Sequence, residues 1–170
     1  MKTELTQIYR YEDGNLYRLK SSGGKKAGSI AGWETICNGK KYKKINVNHK
    51  TYYLHQIIFM FHHGYIPKCI DHADGNSLNN RIENLREATQ SQNVHNSPAR
   101  KTNTSGFKGV SFQKNKWTAA IMVNGKNISL GVYSDIEEAA LAYKRGSEKY
   151  FGEFSCTKEA TNRMQDRSHQ

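Results

Sequence analysis

The stretch from Cys69 to Asn96, CIDHADGNSLNNRIENLREATQSQNVHN, holds the densest set of chemically useful side chains in the sequence. Asp71 and His72 stand side by side, and Asn84, Asn93 and Asn96 follow. Cutting a phosphodiester requires an attacking water, charge stabilisation on the phosphate and help for the leaving oxygen. A histidine with a near-neutral pKa can take the water's proton. A hard divalent cation held by oxygen ligands can supply the other two. Asp71 and the amide oxygen of Asn93 are suitable ligands. On a strand, neighbouring side chains point to opposite sides, so Asp71 and His72 could serve metal and water separately. Asn84 could hold the loop carrying His72 through a side-chain amide bond to backbone, the kind of support an active histidine needs. The competing reading is a polar, turn-rich loop.

These residues need strands and a helix to place them. Lys68 to His72 reads as a short strand, Asp74-Gly75-Asn76 as a turn, residues 79–85 as a compact helical turn or loop, and Leu85 to Thr89 as a return strand. Thr89 or Ser91 then caps a helix through Gln92 and Asn93. Upstream, Leu54, Ile57, Ile58 and Phe61 fall at i, i+3, i+4 and i+7, one face of a short helix ended by Gly64 and Pro67. His55, His62 and His63 lie on or beside it and read as structural residues rather than metal ligands. Before that helix, Gly14-Asn15, Gly23-Gly24, Gly28, Gly32 and Asn38-Gly39 divide the chain into short strand-like runs. Leu16 to Leu19 is one. Tyr42 to Val47 is the clearest, with Asn48-His49-Lys50 as a turn and Thr51 to Leu54 as the return. A small antiparallel sheet is expected.

The chain has 170 residues, with 26 Lys+Arg against 15 Asp+Glu, a net +11. Such a surface attracts polyanions, and nucleic acid is the default partner. Lys40, Lys41, Lys43 and Lys44 are interleaved with Tyr42, Tyr52 and Tyr53 and form the first candidate DNA contact, with Arg86 beside the cluster. Lysines on an exposed strand also discourage edge-to-edge pairing, which is the bland reading of the same pattern. No apolar run approaches the length of a membrane span, and MKTELTQIYR lacks a signal-peptide core. Cys37, Cys69 and Cys156 are far apart and odd in number, so neither a zinc ribbon nor a disulfide framework is expected.

The combination of His55-Gln56, Gly64-Tyr65-Ile66-Pro67, Asp71 to Asn76, Asn79 to Arg86 and Ser91-Gln92-Asn93 resembles the HNH endonucleases, most of all the phage and intron-encoded homing type. The resemblance covers roughly residues 40 to 96. It implies a ββα-metal fold in which His72 is the general base, Asp71 and Asn93 bind the metal, and Asn84 orients His72. The last position departs from the H-N-H lettering, since Asn93 stands in the metal-ligand place. His95 lies about 200° around a helix from Asn93, so the two do not easily face one metal, whereas Asn96 shares Asn93's face and is the more credible alternative ligand. Zinc-stapled members of the family carry paired cysteines that this sequence lacks.

Residues 97–105 lack apolar periodicity and read as a linker. Strands are expected over Phe107 to Phe112, Trp117 to Val123 and Lys126 to Tyr133, with Asn124-Gly125 as a hairpin turn. Ser134-Asp135 should cap a helix whose Ile136, Ala139, Ala140, Tyr143 and Tyr150 lie near one face, with Gly152 beyond its end. This pattern resembles the plant APETALA/ethylene-response-factor DNA-binding domain. The matching residues are Gly106 to Val110, Lys116 to Ile121, Leu130 to Tyr133, Glu137 to Tyr143 and Phe151-Gly152. The resemblance implies DNA contact through the sheet, with Trp117, Lys108, Lys114, Lys116 and Lys126 as candidates. Ser111, Gln113, Met122 and Ser129 replace the arginines or tryptophan of plant members, so the plant sequence preference does not carry over.

The expected architecture is α+β, with an N-terminal antiparallel sheet leading into a ββα-metal nuclease motif. A three-stranded antiparallel sheet packed on one helix follows. The expected division is a nuclease domain over 1–96, a linker over 97–105, a DNA-binding domain over 106–155 and a polar tail over 156–170. The expected activity is metal-dependent hydrolysis of double-stranded DNA with one Mg²⁺ or Mn²⁺ per site and no structural zinc. The protein is expected inside cells (host cytoplasm if phage-encoded), away from membranes, acting as a monomer on DNA or as a dimer. The alternatives are a DNA-binding regulator with an inactive nuclease half and a weakly specific DNA-processing or packaging nuclease.

Overall fold

The computed structural model describes residues 2–97, 99 and 102–155. The polar tail over 156–170, Cys156, and Pro98, Arg100 and Lys101 of the expected linker lie outside the described residues. The chain divides into two compact units, Met1–Gln90 and Ser91–Gln170. Both mix helices with small antiparallel sheets, an α+β architecture. Among the described residues no helix is long and apolar enough to cross a membrane.

The first unit begins with α1 (Lys2–Ile8), too short for its apolar spacing to show in the sequence, and the hairpin β1 (Tyr9–Glu12) and β2 (Asn15–Arg18). Asp13 and Gly14 make its turn, both at positive φ. A second antiparallel sheet follows in the order β3 (Trp33–Cys37), β4 (Lys40–Val47), β5 (Lys50–Tyr53). Asn48 and His49 turn between β4 and β5, at φ of 49° and 61°. Helix α2 (Leu54–His63) starts where the Gln56 side chain accepts a hydrogen bond from the Tyr53 N–H. It stops at Gly64, whose left-handed φ of 87° lets its N–H reach the Met60 carbonyl. Leu54, Ile57 and Ile58 are fully buried against Leu5, Leu16, Ile45 and Val47. Each such burial stabilises by about 1.5–3 kcal/mol. β6 (Ile70–His72) and β7 (Leu85–Glu87) form a two-stranded ladder beyond α2.

The second unit includes nearly all of α3 (Gln90–Asn96), then β8 (Val110–Gln113), β9 (Lys116–Val123), β10 (Lys126–Tyr133) and α4 (Ile136–Phe151). The strands form one antiparallel sheet with β9 central. β8 starts three residues later than the sequence suggests. The Asn103 and Ser105 side chains bond the backbone of Gly106 and Phe107, and Gly106 and Gly109 take positive φ, so this segment is a turn. Asp135 caps α4 by accepting from the Glu137 N–H. Ala139 and Val110 are buried between helix and sheet, with Ile136, Ala140 and Tyr143 packed around them, while Tyr150 is exposed. The β9–β10 register shifts between Ser129 and Gly131, a bulge that includes Leu130. Leu130 fills the space over Gly146, where a Cβ would stand 2.7 Å from its methyl carbon.

Candidate active site

The β6–β7 ladder pairs Asp71 with Arg86 and His72 with Leu85. Asp71 is buried at 3% exposure, and one carboxylate oxygen, Oδ2, accepts from Arg86 Nε at 2.8 Å and Nη2 at 2.7 Å. A buried carboxylate needs such a counter-charge, and the register of the ladder supplies it. His72, the next residue, is also buried, and its Nε2 lies 3.1 Å from Asn80 Oδ1.

The loop between the two strands is held by short polar side chains. Asn84 Oδ1 accepts from the Asp74 N–H at 2.9 Å, and Asn84 Nδ2 donates to Asp74 Oδ1 and to the Asn79 carbonyl. The Asn84 carbonyl accepts from the Ala73 N–H, immediately after His72. Asp74 also accepts from the Asn76 N–H and from Asn79 Nδ2. Outside elements buttress this loop. The Ile82 N–H donates to the Tyr11 hydroxyl at 2.9 Å, and Ser77 Oγ donates to the Lys41 carbonyl at 2.6 Å. Gly14, at the tip of the first hairpin, packs on the backbone of Asn80 and Arg81 so closely that a Cβ would stand 2.7 Å from the Arg81 nitrogen.

An aromatic file leads from the β4–β5 sheet to His72. The Tyr42 and Tyr53 ring centroids are 5.2 Å apart, Tyr53 stacks on His55 at 5.3 Å, and His55 meets His72 edge-on at 5.1 Å. Burial, and then the charge of His72, push the His55 pKa down to about 3. His55 is therefore neutral at physiological pH and adds no charge beside its neighbour. The His72 pKa is also lowered, chiefly by burial, against the opposing pull of its Asn80 hydrogen bond and of Asp74 and Asp71. A neutral imidazole beside a buried carboxylate has the composition of a base next to a cation-ready oxygen.

Among the described residues no three His, Cys, Asp or Glu side chains converge as a metal cluster. Asp71 nonetheless suits a hard cation. It is a buried oxygen donor beside an imidazole, and Mg²⁺ commonly takes only one or two protein carboxylates, completing its shell with water and phosphate oxygens. Asn93 lies half-buried on α3 in the second unit, where its carbonyl accepts from Ser97 Oγ. In that unit His95 stacks on Phe151 with ring centroids 3.5 Å apart, and Asn96 is buried.

The candidate DNA contacts fall in distinct settings. Lys40 and Lys41 are exposed, Lys43 donates to Asn15 Oδ1, and Lys44 lies over the Tyr53 ring at 5.1 Å. Arg86 is engaged with Asp71. Lys108 Nζ donates to the carbonyls of Val94, His95 and Ser97 at 2.7–3.0 Å and so caps the C-terminal end of α3. Lys114, Lys116 and Lys126 are exposed on the hairpins of the second sheet. Trp117 is packed with the cluster between that sheet and α4 and lies beside Phe112. Asn80 is the site residue that the sequence leaves hidden. It is one of two adjacent asparagines in a polar loop, and nothing in the spacing marks it as the one turned inward.

A family model described as HNH endonuclease matches residues 52–95. Protein 3.8 of Escherichia phage T7 is 38% identical over 96 residues, covering 54% of this chain and 78% of that protein. A protein of Acanthamoeba polyphaga mimivirus, named as an uncharacterized HNH endonuclease, is 37% identical over 107 residues. That match covers 61% of this chain and 55% of the viral protein. No solved structure matches the chain significantly.

Proposed function

We propose that this chain, which carries an HNH endonuclease domain over residues 52–95, hydrolyses phosphodiester bonds in double-stranded DNA, with His72 as the base that activates water. The observation that carries this reading is the buried His72 imidazole held between Asn80 and His55, directly beside the Asp71 carboxylate. Asp71 and Asn93 would hold one Mg²⁺ or Mn²⁺. Such an ion, when bound, stabilises charge on the scissile phosphate and on the leaving 3′ oxygen. Asn84 keeps the loop after His72 in place through its bonds to Asp74 and Asn79. Arg86 holds the buried Asp71 carboxylate in place through its two bonds to Oδ2.

The second unit is assigned to DNA binding, in the manner of the ethylene-response-factor domains its sequence resembles. Lys114, Lys116 and Lys126 are its exposed cations, and Lys40 and Lys41 serve the first unit in the same way. A homing-type nuclease of a phage or mobile element, nicking or cutting at a preferred site inside the host cell, is the setting that fits this pairing.

The test is conversion of supercoiled plasmid to nicked or linear product with Mg²⁺ or Mn²⁺, with EDTA and His72→Ala controls. Cleavage that needs the metal and is lost by at least about 100-fold in His72→Ala is the expected result. Cleavage that persists in His72→Ala would overturn the mechanism. Tight binding without cleavage of any DNA would point instead to a regulator with an inactive nuclease half. Sequencing the cut ends separates a preferred site from scattered cutting.

A further inference from the structure

We propose that Asn80 fixes His72 as the tautomer protonated on Nε2, and so makes Nδ1 the atom that receives the proton of the attacking water. The second half of this inference rests on the nuclease reading above; the first half does not.

Asn80 is 2% exposed and belongs with Leu5, Leu16, Ile45 and Ile57 among the largest fully buried side chains. Burying an amide is costly unless its polar atoms find partners. Two are present: Oδ1 lies 3.1 Å from His72 Nε2, and Nδ2 lies 3.4 Å from the Leu78 carbonyl. The amide orientation follows from the chemistry of these neighbours. A carbonyl oxygen only accepts, so the end of Asn80 that faces Leu78 is the NH₂ group. Turning the amide over would set its oxygen against the Leu78 oxygen and lose that bond. With Oδ1 facing the ring, the His72 atom opposite must donate. Nε2 therefore carries the hydrogen, and the lone pair of the neutral ring is on Nδ1.

The surroundings are built to keep this amide still. Gly14 abuts the backbone of residue 80, with its ideal Cβ position 2.9 Å from the Asn80 carbonyl carbon, and the Tyr11 hydroxyl accepts from the Ile82 N–H. Both supports come from the β1–β2 hairpin, which lies outside the segment 52–95 that matches the family model. The hairpin thus acquires a function. It pins the segment that presents the Asn80 acceptor to His72. Asn80 is a positioning residue, since it acts on the reaction through His72.

The experiment reads the tautomer directly. Protein labelled with ¹⁵N-histidine is examined by long-range ¹H–¹⁵N correlation NMR, without metal or DNA, at a pH where His72 is neutral. The His72 signals are identified by comparison with His72→Ala. A single Nε2–H form is expected. Asn80→Asp, which keeps an acceptor in place, should retain that form. Asn80→Leu, of similar size but without an acceptor, should give a mixture of both forms. In plasmid cleavage, Asn80→Leu should lower kcat by about 10–100-fold with the apparent DNA affinity unchanged, and Asn80→Asp should restore most of the loss. A wild-type His72 protonated on Nδ1, or an unchanged tautomer in folded Asn80→Leu, overturns the assignment. If Asn80→Leu fails to fold, the wild-type spectrum alone decides. Absence of cleavage together with the Nε2–H signature refutes the nuclease reading and leaves the tautomer assignment standing.

Discussion

His55 makes a quantitative prediction about acid stability. Its ring is stacked on Tyr53, meets His72 edge-on and is held neutral by burial, with a pKa near 3 in place of the ordinary 6.5. Below pH 6.5 the unfolded chain gains a proton at this residue that the folded chain refuses until about pH 3. The unfolded state therefore binds more protons across that window, and the stability contributed by a neutral His55 is complete above it and declines as the pH falls. Proton linkage for this one group gives a loss of about 2 kcal/mol between pH 7 and pH 5. Other groups titrate in the same range, including His62, whose pKa burial also lowers, so the useful quantity is a difference. His55→Phe keeps a ring against Tyr53 and cannot be protonated. Urea unfolding of both proteins at pH 7 and pH 5, without metal, should show the wild type losing about 2 kcal/mol more than the variant. Equal losses, within about 0.5 kcal/mol, would show that the ring is not held neutral by its burial.

Two further outcomes follow from close packing and from internal capping. Gly14→Ala places a Cβ 2.7 Å from the Arg81 nitrogen at a φ of +75°, whereas Gly23→Ala at φ +56° meets nothing within 4 Å. The first should cost about 2–4 kcal/mol and the second about 1–2 kcal/mol in thermal or urea unfolding, and similar values for both would refute the buttress assigned to the hairpin. Lys108→Met removes three bonds from an ammonium to the carbonyls that end α3. It should lower the stability of the second unit by about 1–3 kcal/mol and increase amide exchange in α3; unchanged exchange would rule out the cap.

The sequence was most readable where one local rule decides the structure. Leu54, Ile57, Ile58 and Phe61 announce α2 because helix period and burial coincide there. Asn124-Gly125 announces its hairpin because both residues tolerate positive φ. The pairing of Asp71 with His72 could be read as chemistry because their side chains had to diverge on a strand. What stayed hidden depends on residues far apart in the chain. Asn80 becomes a partner of His72 only because Gly14 and Tyr11 hold the loop from 66 to 71 residues away, a closeness that no window of sequence contains. Arg86 was marked as a DNA contact by its charge, and Lys108 by the resemblance to the ethylene-response-factor domains. Their engagement with Asp71 and with the end of α3 arises from strand register and from the turn before β8. Trp117 sits on the helix side of its sheet for a similar reason, since strand parity and the position of α4 decide which face is covered.

The internal use of cations bears on how this protein would respond to ionic strength. Among the described residues, Arg18 donates to Ser29 and Ile30, Lys43 to Asn15, Arg86 to Asp71, and Lys108 to three carbonyls. Counterions are released from DNA only by side chains that reach phosphates, each adding about one unit to the slope of log affinity against log salt. Charges tied into the fold take no part in that exchange. Of the 26 Lys and Arg residues these four therefore displace no ions on binding, and the complex should tolerate salt better than a count of its cations suggests.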